Sequence, residues 1–124
     1  MKIDIKGIHF ELNEKITEYV TKKINGLEKY ISRQDQKSHG VMAKVILRED
    51  ESGREGTRFL CEVIMTIPGH PSLQAKEATL NIYAAVDIVE AKLKAQLLKV
   101  KAKHNPRSQQ GRKWYAKLLG RRQD

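Results

Sequence analysis

The sequence predicts an α+β fold, a two-layer sandwich in which two helices cover one face of a four-stranded mixed sheet. Two stretches carry apolar residues at spacings of three and four, the pattern of amphipathic helices. Four other stretches alternate apolar and polar residues, as half-buried strands do. The predicted order is therefore β-α-β-β-β-α. The helical crossover favours parallel pairing of the first two strands, and the later hairpins add antiparallel strands.

The first two elements are a strand over residues 2–10 and a helix that begins after Asn13. Ile3 and Ile5 fall on one face of the strand. The Asn13 side chain can accept a hydrogen bond from an N–H of the first turn, which predicts an N-cap. We expect about 18 residues of helix, followed by a polar loop over residues 33–40. The apolar stripe of this helix consists of Ile16, Tyr19, Val20, Ile24, Leu27 and Ile31.

Two regular alternations, over residues 41–48 and 59–67, predict the second and third strands. Residues 49–57 between them are rich in acids and contain glycine, which indicates an exposed hairpin loop. The tight Pro/Gly connection over residues 68–71 leads into a short fourth strand over residues 72–77.

The long final helix is the segment around which the other elements are arranged. Neither Pro nor Gly interrupts it, and good helix formers fill it. Thr79 is the predicted N-cap, and Asn105-Pro106 is the predicted end. The apolar stripe consists of Ile82, Ala85, Val86, Val89, Leu93, Leu97 and Val100.

The positive charge of the chain is concentrated at its C-terminal end. With 124 residues there is room for one domain, which we place at residues 1–104, and a basic flexible tail at 105–124. The formal net charge is +9, and residues 99–124 alone hold nine Lys/Arg and one acidic residue. This distribution is typical of a protein that binds the phosphate backbone of nucleic acid. Binding to an anionic membrane is disfavoured because the long helix lacks a bulky apolar membrane face.

The sequence also predicts a cytoplasmic location. No apolar run approaches the roughly 20 residues that cross a bilayer, and the first residues lack a signal-peptide core. The single cysteine, Cys61, excludes an intrachain disulfide and fits a reducing compartment.

Residues capable of catalysis or metal binding do not form a recognisable motif. The four histidines fall in different predicted elements, and His70 in its Pro/Gly turn is expected to be exposed. Cys61 lies in a core-patterned strand, where a buried apolar role is favoured over that of a nucleophile. The acidic loop lacks the EF-hand pattern. We therefore predict a protein that is not an enzyme and needs no metal or cofactor.

Lysines flank the apolar stripes of both helices. On the long helix, Lys92, Lys99 and Lys103 fall on one flank, while Lys94 and Lys101 fall on the other. On the first helix, Lys22 and Lys29 share a flank with Lys15, and Lys23 falls at the edge of the stripe. Such helices can dock on their own sheet and meet a polyanion. A solvated charged surface without a partner is the alternative interpretation.

The tail offers a second set of candidate contacts. Arg112, Lys113, Trp114 and Tyr115 place an aromatic pair among cations, and such a pair can stack on unpaired bases while the cations meet phosphate. A disordered tail that binds nonspecifically is the alternative.

The long helix also resembles a known family, the ribosome hibernation-promoting factors, which include the ribosome-associated inhibitor and are also called sigma-factor modulation proteins. The resemblance covers about residues 1–104 and is strongest to the signature MYAAID…KL..QL. The matching residues are Ile82-Tyr83-Ala84-Ala85-Val86-Asp87, Lys92-Leu93 and Gln96-Leu97, with Glu18-Tyr19-Val20, Lys23 and Leu27-Glu28-Lys29-Tyr30 in the first helix.

The resemblance implies a fold related to double-stranded RNA-binding domains and a specific site of action. It implies binding to ribosomal RNA in the decoding region of the small ribosomal subunit, with translational silencing in stationary phase or stress. Long relatives carry a second, dimerising domain, and 124 residues are too few to include one. The resemblance therefore implies a short form that is monomeric off the ribosome.

The resemblance carries the family's basic helix positions onto Lys23, Lys92, Lys99, Lys101 and Lys103. Gly26 and Ala95 stand where relatives often have a basic residue, and Lys94 is adjacent to the second of these positions. The complete set of candidate RNA-binding residues on the helices is Lys22, Lys23, Lys29, Lys92, Lys94, Lys99, Lys101 and Lys103.

Two other functions stay open at the level of sequence. One is a general protein for structured RNA, which would have the same shape but no ribosomal site. The other is a protein-interaction module that modulates a sigma factor or another regulator.

Overall fold

The helices and strands follow the predicted order. The computed structural model describes residues 1–37, 40–50 and 58–104, except for the side chains of Gln34, Lys37 and residues 101–104. The strands are β1 (Lys2–Ile8), β2 (Met42–Asp50), β3 (Arg58–Thr66) and β4 (Leu73–Thr79). The helices are α1 (Glu14–Asn25), a 3-10 helix (Gly26–Tyr30), α2 (Arg33–Lys37) and α3 (Ile82–His104).

The four strands form one mixed sheet in the order β1-β2-β3-β4. β1 pairs with β2 in parallel, with Ile5 opposite Val45. β2 pairs with β3 and β3 with β4 in antiparallel fashion, with Val63 opposite both Val45 and Ala75. The predicted fold class is confirmed, including the parallel pairing after the helical crossover.

The hydrophobic core lies between the sheet and the helices. One face of β2 and β3 is fully buried, as at Leu47 and Met65, and Val86 and Leu93 of α3 belong to the same buried cluster. Among the described residues, the buried ones are apolar throughout. The apolar stripes of both helices therefore point inward, and their polar residues form the outer surface of the helical layer. Within the described residues, every helix is too short or too polar to span a lipid bilayer.

The first helix is shorter than its apolar stripe predicted. α1 begins at the predicted cap, where Ile16 N–H donates to Asn13 Oδ1 at 2.9 Å, but it ends at Asn25. The chain then tightens into the 3-10 helix at Gly26, a residue with low helix propensity. Leu27 is buried all the same. The expected loop after it contains the short α2, where Asp35 N–H donates to Ser32 Oγ at 3.1 Å.

The predicted cap of α3 is wrong by two residues. Thr79 is the last residue of β4, and the helix begins at Ile82. Asn81 is the N-cap instead, because its Oδ1 accepts from Tyr83 N–H at 2.8 Å. The Thr79 hydroxyl accepts from Asn81 N–H at 3.1 Å and so supports the cap from the preceding turn.

Candidate nucleic-acid interface

α1 and α3 pack side by side on the sheet, and polar side chains join them on the outer surface. The rings of Tyr19 and Tyr83 meet edge to face, with centroids 5.0 Å apart. The Tyr19 hydroxyl donates to Asp87 Oδ1 at 2.6 Å. Since these contacts come from both helices, they fix the position of α1 relative to α3.

Lys23 belongs to this junction between the helices. Its Nζ lies 3.4 Å from Asp87 Oδ1 and 4.0 Å from Glu90 Oε1, and it also lies over the Tyr19 ring. The hydrogen bond to Asp87 and the charge of Glu90 raise the pKa of Lys23. The hydrogen bond to Asp87 likewise raises the pKa of the Tyr19 phenol. Two carboxylates of this protein therefore partly neutralise the charge of Lys23 when no binding partner is present.

Lys29 and Lys94 are brought together on one aromatic ring. Lys29 comes from the 3-10 helix and Lys94 from α3, yet each Nζ lies 5.3 Å from the centroid of the Tyr30 ring. Among the described residues, neither lysine has a carboxylate at ion-pair distance. Two of the candidate RNA-binding residues therefore contact the same aromatic ring, and neither has an ion-pair partner in the described chain.

Lys92 lies on the opposite flank of α3, as the helical spacing predicted. Its Nζ is 3.6 Å from Glu77 Oε2 and donates to the Lys76 carbonyl oxygen at 3.1 Å. Gln96 makes a similar bond, since its Nε2 donates to the Gln74 carbonyl oxygen at 2.8 Å. These contacts join this flank of α3 to strand β4, whereas Lys94 lies on the opposite flank of the helix.

The remaining candidates are partly outside the described residues. Lys22 and Lys99 are exposed, and within the described chain neither makes an ion pair. Lys101 and Lys103 lie in the last turn of α3, but their side chains are not described. Arg112, Lys113, Trp114 and Tyr115 lie outside the described residues, as does the whole predicted tail.

Sequence reasoning missed the aromatic residues of this surface. Tyr30 and Tyr83 were absent from the predicted set, as was Lys15, whose Nζ lies 5.8 Å from the centroid of Tyr83. The available signal was the spacing of Lys15, Tyr19 and Lys23, which places three side chains in one row along α1.

Two groups that could serve catalysis, Cys61 and His70, are held in structural surroundings in the described part of the chain. Cys61 is fully buried, and this burial raises the pKa of its thiol to about 12, so it is a poor nucleophile. The prediction that His70 is exposed is wrong, because its side chain is only 11% exposed and its Nε2 lies 3.0 Å from Asp35 Oδ2. Within the described residues, no group of three or more His, Cys, Asp or Glu could hold a metal ion.

Comparison with known proteins supports the resemblance carried by α3. The chain is 31% identical over 106 residues to a ribosome hibernation promotion factor from Lactococcus lactis, covering 85% of this chain and 52% of that protein. It is 31% identical over 108 residues to the factor of the same name from Deinococcus radiodurans, covering 87% and 53%. The chain thus spans about half the length of the curated relatives it matches.

Solved structures share the fold. The N-terminal domain of Protein Y from Thermus thermophilus matches with a TM-score of 0.63 and 28% identity, covering 78% of this chain and 96% of that one. A ribosomal subunit interface protein from Coxiella burnetii matches with a TM-score of 0.64 and 21% identity, covering 82% and 99%, which supports the fold alone. The family model described as Sigma 54 modulation protein / S30EA ribosomal protein matches residues 3–105, so the chain belongs to that family.

Proposed function

We propose that this protein binds the small ribosomal subunit and inhibits translation without catalysing a reaction. The observation that carries the proposal is the pair of helices, α1 and α3, which pack together and present lysines on the outer surface of one layer. The names of the relatives, ribosome hibernation promotion factors, support a role in hibernation.

The mechanism requires only occupancy of a site. Lysines on helices would contact phosphates, and such contacts position a protein without reading sequence. Specificity would come from the shape of a folded RNA pocket. We place this pocket in the decoding region, where a rigid protein of 14.2 kDa would exclude messenger and transfer RNA. This role implies a cytoplasmic protein that acts in stationary phase or stress, as a monomer when off the ribosome, with no cofactor.

The described lysines fall into two groups with different proposed roles, according to whether a carboxylate of this protein pairs with them. Lys22, Lys29, Lys94 and Lys99 have no carboxylate partner in the described structure, so their charges are available to phosphate. The charges of Lys23 and Lys92 are partly neutralised by carboxylates of this protein, at 3.4 Å and 3.6 Å. We expect the first four to contribute most to RNA binding, with Lys101, Lys103 and the tail residues Arg112, Lys113, Trp114 and Tyr115 as further contacts.

Sedimentation with purified small subunits tests the proposal. The wild type should travel with the subunits at low salt and leave them as salt rises, because neutralised phosphates make affinity salt-dependent. Lys22→Glu with Lys99→Glu should abolish co-sedimentation. The matched control is Lys6→Glu with Lys44→Glu, on the face of the sheet away from the helices. Failure of the wild type to sediment, or equal loss in both double variants, would refute the proposal.

The family description favours one further candidate, modulation of sigma 54. A pull-down from nuclease-treated lysate separates the two, since a protein partner survives the removal of RNA. Equal affinity for any duplex RNA would instead indicate a general protein for structured RNA.

A further inference from the structure

A groove lies on the outer surface between the 3-10 helix and α3. It has a volume of about 230 Å³ and is lined by Gly26, Leu27, Lys29, Tyr30, Glu90 and Lys94. Pockets for drug-sized ligands measure about 300–1,000 Å³, so this groove suits a smaller group. We propose that it is a subsite for one phosphodiester of the bound RNA, an inference that rests on the proposed function.

Two cations are already gathered at this groove. The ammonium groups of Lys29 and Lys94 both lie 5.3 Å from the Tyr30 ring centroid, so they are separated by no more than twice that distance. An ammonium carries its charge at the end of a flexible stem and can turn from the ring toward a phosphate oxygen. Both lysines contact the ring and line the groove, so a phosphodiester that enters it can accept a hydrogen bond from each.

Gly26 leaves the groove open. A Cβ built at this position would meet nothing within 4 Å, so there is free space beside the backbone. The φ angle of Gly26 is −61°, which any L residue adopts, so the conformation itself does not require glycine. A side chain here therefore extends into open space beside the groove and does not strain the backbone.

One negative charge lines the same groove. Glu90 would repel a phosphate, but its carboxylate lies 4.0 Å from Lys23 Nζ, and that lysine offsets part of its charge. Lys23 thus acts here as a positioning residue, because it holds Glu90 toward the junction of α1 and α3. Removal of the Glu90 charge should strengthen the subsite.

Substitutions at Gly26 give the sharpest test. Gly26→Asp adds a carboxylate to the groove, and Gly26→Ala is its matched control with the same backbone demand. We expect Gly26→Asp to weaken binding to small ribosomal subunits by about tenfold, while Gly26→Ala binds within about twofold of the wild type. Equal affinity of the two variants would overturn the subsite.

Charge removal provides the second arm. Log affinity falls as log salt rises, and Lys29→Gln with Lys94→Gln should make this slope shallower by about 0.7–0.9, as the loss of one phosphate contact requires. Lys6→Gln with Lys44→Gln removes the same charge from the other face and should leave the slope unchanged. Glu90→Gln should raise affinity. An unchanged slope in the first double variant, or a slope lowered equally in both, contradicts the inference.

A third measurement separates this inference from the proposed function. If the wild type does not bind small subunits, the proposed function fails, and amide NMR shifts on addition of an oligouridylate at low salt then judge the groove alone. Shifts concentrated at residues 26–30 and lost in Gly26→Asp support a phosphodiester subsite. Shifts spread evenly over all exposed lysines overturn it.

Discussion

The phenol of Tyr19 donates a 2.6 Å hydrogen bond to Asp87, and this bond joins α1 to α3 across 68 positions of sequence. Asp87 at the same time pairs with Lys23, so one carboxylate serves two partners from α1. The surface that we propose for RNA binding is therefore built around an internal ionic junction, and its geometry depends on the protonation of these groups.

We predict that the stabilisation from the Tyr19–Asp87 hydrogen bond is lost at alkaline pH. The folded state raises the pKa of Tyr19 above 10.0, so it holds the phenol proton more tightly than the unfolded state does. The resulting stabilisation is present at neutral pH and is lost as pH rises through the folded pKa. Tyr19→Phe should lower the free energy of unfolding by at most about 1 kcal/mol near neutral pH, because the bond is exposed.

Urea denaturation of both proteins over a pH series checks this prediction. The difference between wild type and Tyr19→Phe should shrink above pH 10, and the phenylalanine variant serves as the control for every other titrating group. Lys23 is the exception, because it shares Asp87 with Tyr19 and its pKa is raised in part by Tyr19, so the same comparison is repeated in a Lys23→Gln background. A difference that stays constant or grows with pH would contradict the assigned cause.

The fold could be predicted because the spacing of apolar residues within each short stretch of sequence shows which side chains are buried. Val86 and Leu93 repeat at the helical period, and that period alone says which side of α3 faces the sheet. The same spacing placed Lys92 and Lys94 on opposite flanks. What the sequence did not reveal is the pairing of Lys23 with Asp87, or of Lys92 with Glu77, because each carboxylate comes from another element. The N-cap of α3 at Asn81 was missed for a local reason, since both Thr79 and Asn81 are good caps.

Cys61 should resist alkylation in the folded protein. Burial raises the pKa of its thiol from 9.0 to about 12, which lowers the thiolate fraction by roughly a thousandfold near neutral pH. We expect iodoacetamide to modify Cys61 slowly without denaturant and quickly in concentrated urea, as followed by mass spectrometry. The unfolded protein is its own control for reagent quality. Equal rates in both conditions would show that the thiol is accessible and reactive.

Gly7 and Gly26 should respond oppositely to the same substitution. A Cβ at Gly7 would lie 2.3 Å from the Phe10 carbonyl oxygen, a contact that requires the backbone after β1 to shift. Gly7→Ala should therefore destabilise the protein by about 1–3 kcal/mol. Gly26→Ala meets open space and should be neutral or stabilising by about 0.5–1 kcal/mol. Thermal unfolding of the two variants tests both signs, and destabilisation by Gly26→Ala would mean that the space beside it is not free.

Leu93 and Ile88 allow the stability of α3 to be separated from its proposed binding role. Leu93 is fully buried between helix and sheet, whereas Ile88 is 36% exposed on the same helix. Leu93→Ala should cost about 2–5 kcal/mol, because it removes buried surface and leaves a cavity. Ile88→Ala should cost far less, since water already reaches the site and alanine is the better helix former. Urea denaturation measures both costs.

At a temperature where Leu93→Ala remains folded, its affinity for small subunits should match the wild type, because the lysines of α3 keep their positions. A loss of affinity in fully folded Leu93→Ala would mean that core packing, and not only surface charge, sets the arrangement of the lysines.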